Sequence, residues 1–327
     1  MIERLQSQGY QGFQVSYSTA GLGFDCAVGW GRREFPPEPV SLHSRFRYAS
    51  VSKVFTAMVA RALVADGTIA EDTKLVEALG LHGKLLDARV GLITLGDLLR
   101  HRAGFARWEH DPMLVSDPWC PRAPDGLQYM RLDYPPHQQF AYSNLGYCLL
   151  GRALAKVTHE PERELIGGWL RTVPGGARSI DMVRRGGYLE GEVSLYPDAA
   201  ERIDPLRDVD YASLVSVGGW LGNAADLRDV GKFIYRDYLS RFITGQLGQG
   251  DSDCEPKVLY GCHGRVFYLY QGSSGNRMFF HDGSLPGVTS FLGIFQDGSV
   301  LVFLANSRTV KERPNWEVIK ALYKFAN

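Results

Sequence analysis

No stretch of this chain stays apolar for the roughly 18 residues a membrane span requires. The opening MIERLQSQGYQGFQV also lacks the apolar core of a secretory leader. Those two absences point to the cytoplasm and away from a membrane partner, unless a leader is removed. Charge of one sign is missing too: 36 Lys and Arg balance 36 Asp and Glu, and the basic residues are scattered, which excludes a nucleic-acid surface. His43, His82, His101, His110, His137, His159 and His263 have no ligand-like spacing, so no metal is implied. Cysteine is sparse. Cys26, Cys120, Cys148, Cys254 and Cys262 are odd in number and lack C-x-x-C spacing, so they read as unpaired thiols, with Cys254 and Cys262 near enough to bridge a short loop. No G-x-S-x-G elbow, H-E-x-x-H or phosphate-cradling G-x-x-x-x-G-K-[ST] occurs, and no internal repeat.

What is present is a chain of 327 residues, 45% hydrophobic and 22% charged, an ordinary globular composition. Its two ends read as strands: GFQVSYST and FDCAVGWG near the start, RVFYLYQG, NRMFFHDG and GVTSFLGIFQDGSVLVFLANS near the finish. The middle reads as helices and long loops. ITLGDLLRHRAG has Thr94 as cap with Asp97 three residues on, and NAADLRDVGKF has Asn223 with Asp226 in the same relation. NWEVIKALYKFAN closes the chain as an amphipathic helix, while 105–140 and 172–210 read as irregular surface loops. The simplest packing is an α+β protein. One antiparallel sheet is built from residues 1–65 and 216–327 and covered by terminal helices, with 66–215 a mostly helical insertion and the active site at their interface.

Three short stretches carry chemistry. In YASVSKVFTAMVARAL, Lys53 falls in the first turn of a helix, where the positive end of the dipole disfavours a cation. Ser50 precedes it by three residues, one turn away on the same face. A serine hydroxyl becomes a nucleophile when a base takes its proton, and a buried lysine can be that base. The same letters also describe a capping serine and a lysine whose stem snorkels to water. In QQFAYSNLGYCLLG, Tyr142 can relay a proton and Asn144 can orient a substrate, or else the two are a core aromatic and a helix cap. In FFHDGSLPGVTSF, Asp282-Gly283 is a hairpin signal with a solvated His281. Alternatively, His281 and Gly283 lie on an edge strand lining a site, where glycine permits close approach and the next backbone N–H serves as an oxyanion donor.

Taken in order, with ADGTIAEDTKL, ITLGDLLRHRAGF and SVGGWLGNAADLRDVGKF between them, these motifs make nearly the whole chain resemble one family. It is that of the penicillin-binding proteins and class C β-lactamases, which includes D-Ala-D-Ala carboxypeptidases, D-aminopeptidases, β-lactamase-fold esterases and acyltransferases. The resemblance implies the β-lactamase/transpeptidase fold. It further implies an acyl-Ser50 intermediate, Lys53 and Tyr142 sharing the acid and base work, Asn144 orienting substrate and lysine, and an oxyanion hole made by the N–H groups of Ser50 and Ser284. His281 stands where class C β-lactamases have lysine, which favours ester or amide hydrolysis over β-lactam hydrolysis. PPHQQ and HRAG depart from the family's usual wording near the site mouth. Arg308 is read either as a carboxylate clamp or as a surface residue. The implied substrate is a small molecule or peptide with an ester or amide carbonyl, and the resemblance implies no cofactor. Acyl transfer to another acceptor and a penicillin-binding sensor are the alternative roles.

Overall fold

The computed structural model describes residues 2–7, 9–106, 119–184, 186–197, 203–239, 254–273, 275–308 and 314–326. The chain divides into two compact units, one of Met1–Val51, Leu170–Leu206 and Trp220–Asn327, the other of Ser52–Trp169 and Arg207–Gly219.

The first unit is built on sheet. After α1 (Ile2–Ser7) come β1 (Gly12–Ser18), β2 (Gly23–Arg32), β3 (Glu38–Pro39) and β4 (Phe46–Arg47), followed much later by β5 (Asp181–Met182) and β6 (Trp220–Gly222). The remaining strands are β7 (Tyr268–Gln271), β8 (Arg277–Leu285), β9 (Val288–Phe295) and β10 (Val300–Ala305). They form a seven-stranded antiparallel sheet in the order β3-β2-β1-β10-β9-β8-β7 and a small sheet β4-β6-β5. Every residue of β9 and β10 is buried, so these strands show no polar alternation and must be covered on both faces.

The second unit is helical, with α2 (Ser52–Ala65), α3 (Leu75–Ala78), α4 (Leu95–Leu99), α5 (Trp119–Leu127), α6 (Asn144–Thr158) and most of α7 (Glu162–Arg171). Two more helices cover the sheet, α8 (Ala224–Ile234) and α9 (Pro314–Ala326). Gly231 lets α8 press onto Leu292 and Val300, while Tyr323 of α9 packs on Phe295. Strand alternation puts Leu292 and Phe295 on opposite faces, so each face has its helix. Among the described residues no helix is long and apolar enough to cross a membrane.

The α+β architecture with strands from both ends is the one the sequence implies. The unit boundaries fall elsewhere than 65/66 and 215/216, for two reasons. α2 carries Phe55, which packs on Trp169 in the helical unit, and β5 pairs with β6, which ties its segment to the sheet. The caps read from sequence are in place: Thr94 and Asp97 form a reciprocal capping box, and Asn223 accepts from the Asp226 N–H.

Three expectations are corrected. The stretch 105–140 is not all loop, since α5 lies within it; residues 107–118, with His110, lie outside the described residues. Asp282-Gly283 is not a hairpin turn: both residues lie inside β8, and the turn comes at Gly287, whose φ of 71° suits glycine. The cysteines are not unpaired. Cys120 of α5 is bonded to Cys148 of α6 at a Cα–Cα distance of 5.6 Å, Cys254 to Cys262 at 4.3 Å, and Cys26 remains a thiol. Sequence spacing conceals the first pair because 28 residues separate its members and helix packing brings them together.

Closing a loop of that length contributes about 3.5 kcal/mol in the chain-entropy account, against about 2.5 kcal/mol for the shorter one. Cys120→Ser/Cys148→Ser is therefore expected to lower the guanidinium midpoint more than Cys254→Ser/Cys262→Ser does. Midpoints equal to the wild type's would show that these pairs contribute nothing in solution.

Candidate active site

In the helical unit the site begins with Lys53. It is the second residue of α2 and wholly buried. Its Nζ donates to the Val217 carbonyl at 3.0 Å and lies 5.2 and 5.8 Å from the ring centres of Tyr142 and Tyr147. One turn on, the Thr56 hydroxyl donates to the Ser216 carbonyl at 2.9 Å, so two side chains of one helix face hold successive carbonyls of one turn. A carbonyl and aromatic faces are the neighbours a dehydrated ammonium needs at the wrong end of a helix dipole.

Tyr142 is held by its surroundings. The His101 ring lies 4.4 Å from it and 4.9 Å from Tyr147. His101 also grips the backbone on both sides of Tyr142: its carbonyl accepts from the Ala141 N–H at 2.8 Å, and its Nδ1 from the Ser143 N–H at 3.1 Å. Ser143 caps α6 by accepting from the Gly146 N–H at 3.0 Å. Asn144 is consequently the first helical residue rather than the cap, and it is buried.

In the sheet unit, Ser50 sits half-buried in a single 3₁₀ turn, Ala49–Val51, that leads into α2. Ala49 adopts a φ of 44°, a left-handed conformation that costs a non-glycine residue about 1–2 kcal/mol and is held by its neighbours. Tyr48 supplies that hold. Its N–H donates to the Trp220 carbonyl at 2.8 Å and its hydroxyl to the Asn223 carbonyl at 3.0 Å; its own carbonyl accepts from the Ser290 hydroxyl at 2.6 Å. Burial pushes the Tyr48 phenol well above its usual value, so it stays a neutral donor.

Gly283 lies against this turn. A Cβ there would collide with the Ser290 hydroxyl, sit 2.6 Å from the Tyr48 carbonyl oxygen and 2.9 Å from the Ser50 nitrogen. The backbone of Gly283-Ser284 thus runs alongside that of Ser50, a placement in which two peptide N–H groups can face one oxyanion. His281, two residues earlier on β8, is buried, and its Nδ1 donates to the Asp282 carbonyl at 2.8 Å. β8 is an inner strand rather than an edge one, but β7 pairs with it only over Arg277–Phe280, so His281–Leu285 lie beyond that neighbour. Arg308 leaves the sheet at the same end. Ala305 faces Thr289 and Thr289 faces Ser284, which sets β10 roughly 10 Å from β8 at that level.

Ser50, Gly283, Ser284 and His281 thus come together in one unit, and Lys53 and Tyr142 in the other, with Asn144 two residues after Tyr142. The chain joins the two sets between Val51 and Ser52. His101, Tyr147, Tyr48 and Ser290 were not singled out from sequence. His101 carried one signal, its place in ITLGDLLRHRAG, whereas a carbonyl such as that of Val217 has no side chain to announce it. Among the described residues no group of three His, Cys, Asp or Glu side chains converges as metal ligands do.

Comparison with known proteins adds three relatives. The profile of the family described as Beta-lactamase matches residues 14–324. A probable fimbrial assembly protein, FimD of serogroup H1, from Dichelobacter nodosus is 30% identical over 338 aligned residues, covering 100% of this chain and 82% of that protein. Penicillin-binding protein 4 of Amycolatopsis lactamdurans is 25% identical over 81% of this chain and 72% of its own. In fold, the chain superposes on the D-amino acid amidase of Ochrobactrum anthropi SV3 with a TM-score of 0.77 over 98% of this chain and 96% of that one, at 20% identity.

Proposed function

The chain belongs to the beta-lactamase family, and from that premise we propose that it is a serine hydrolase of amides or esters working through an acyl-Ser50 intermediate. The Ser50 hydroxyl attacks the substrate carbonyl. Lys53, as the neutral amine, and Tyr142 share the removal of its proton and the delivery of a proton to the leaving group. The N–H groups of Ser50 and Ser284 receive the oxyanion, and water then releases the acyl group. The observation that carries this reading is Lys53 itself: a wholly buried lysine in a helix's first turn, one turn after a half-exposed serine. Dehydrating an ammonium there costs several kcal/mol, which a merely structural position would avoid with methionine.

The amide bond is the first substrate class to try, since one fold relative is a D-amino acid amidase. The test is intact-protein mass spectrometry with a fluorophosphonate, p-nitrophenyl butyrate, penicillin, and D- and L-phenylalanine amide. Label on Ser50 with turnover of an ester or amide supports the reading. A lasting penicilloyl adduct without turnover supports a sensor, and no adduct with any probe removes the acyl-enzyme. His101→Phe, which keeps a ring beside Tyr142 but loses the acceptor for Ser143, is expected to slow acylation about 10- to 100-fold. A wild-type rate in that variant would deny His101 its part in placing Tyr142.

The two disulfides favour an oxidising compartment over the cytoplasm that the sequence suggested. Thiol trapping in native extracts tests this: one reactive thiol, Cys26, is the expected result, and five would return the protein to the cytoplasm.

A further inference from the structure

Behind the turn that receives Lys53 lies a buried polar cluster that the reaction does not use. Ser216, whose carbonyl accepts from Thr56, is itself wholly buried, and its hydroxyl donates to the carboxylate of Glu162. The other carboxylate oxygen of Glu162 accepts from Arg152 at 3.1 Å. Glu162 opens α7, Arg152 belongs to α6, and Ser216 precedes Val217, so one carboxylate ties two helices to the turn that carries the lysine's acceptor. α6 makes room for it. A Cβ on Gly151 would collide with the Ser216 hydroxyl and come within 2.6 Å of the Glu162 carboxylate. A carboxylate with a side chain only 8% exposed is costly unless its oxygens are satisfied, and here both are. Burial pushes the Glu162 carboxyl up, while Ser216 and Arg152 hold it down.

We propose that Glu162 is a positioning residue for acylation: through the Ser216 hydroxyl it fixes the turn whose Val217 carbonyl sets the place of the Lys53 amine. This rests on the reading of Lys53 as proton acceptor. The turn is clamped from two sides, by Thr56 on the Ser216 carbonyl and by Glu162 on the Ser216 hydroxyl. With the second clamp gone, Thr56 alone ties the turn to α2, and the amine's site is less closely fixed. A base displaced by a fraction of an ångström loses rate without losing affinity, because substrate binding does not involve this cluster.

The experiment follows fluorophosphonate acylation of Ser50 against probe concentration in wild type, Glu162→Ala, Glu162→Gln, Ser216→Ala and Lys53→Ala, each well below its Tm. Glu162→Ala and Ser216→Ala are expected to lower the maximal rate about tenfold or more, with the half-saturating concentration unchanged. Glu162→Gln, whose amide oxygen still accepts from Ser216, should recover most of that loss. Cys120→Ser/Cys148→Ser serves as a destabilised control in the same unit and should keep the wild-type maximal rate. The inference is overturned by wild-type rates in both alanine variants, by a loss that falls on half-saturation, by a glutamine variant as slow as the alanine one, or by an equal loss in the control. Failure of the underlying reading looks different: Lys53→Ala then acylates as fast as wild type, or the wild type takes no label on Ser50.

Discussion

Lys53→Met is expected to slow acylation of Ser50 about 10³-fold while leaving the protein as stable as the wild type, or more so. The rate loss follows from removing the group that takes the serine proton, since general base catalysis contributes about 10²–10⁴. The stability follows from burial. Lys53 is wholly enclosed, and replacing a buried ionisable group with an apolar side chain of similar length removes a desolvation penalty that amounts to several kcal/mol for the charged form. Opposing it is the lost bond to the Val217 carbonyl, about 1–3 kcal/mol if that oxygen is left dry. Ser50→Ala separates the two roles further: it should abolish labelling outright and hardly move Tm, because Ser50 is half-exposed. Stopped-flow acylation and calorimetry on the three proteins decide the matter. A methionine variant that acylates normally would make Lys53 a core residue and nothing more.

Gly283→Val should cost about 10²–10³ in acylation, comparable to losing an oxyanion donor. Two of the three atoms that a Cβ would meet are backbone, the Tyr48 oxygen and the Ser50 nitrogen, and neither can swing aside as a side chain would. Either β8 or the Ser50 turn must move, and with it the alignment of the Ser50 and Ser284 N–H groups. Overpacking of this kind also costs about 1–3 kcal/mol of stability. Gly21→Ala is the matched control, because a Cβ at Gly21 meets nothing within 4 Å. If Gly283→Val acylates like Gly21→Ala, the strand does not define the oxyanion position.

The sequence made some of this legible and hid the rest for physical reasons. A lysine at the wrong end of a helix is visible because dipole and side chain conflict in adjacent letters. The capping pairs at Thr94 and Asn223 are visible because the rule is local. Asp282-Gly283 misled in one direction, since the dipeptide that makes hairpins also serves where a strand must press on a neighbouring backbone. Cys120 and Cys148, Glu162 and Ser216, and the Val217 carbonyl were hidden because each acquires its role only when remote segments meet. His101 has no ligand-like spacing to announce it, and its Nδ1 takes its role from the backbone next to Tyr142.

β1 pairs with β10 over Phe13–Ser18 and Val300–Ala305, so the middle of the sheet joins segments nearly three hundred residues apart. Synthesis delivers β1 long before β10. Until then β1 has an open edge, and β9, every residue of which is buried in the fold, has Phe291, Leu292, Ile294 and Phe295 uncovered as it leaves the ribosome. The loop closed by that pairing is among the longest the chain can make, which favours slow folding and a need for chaperones during expression. A chain cut short before Val300 leaves β1 and β9 each without their shared neighbour, and such fragments are expected in the insoluble fraction.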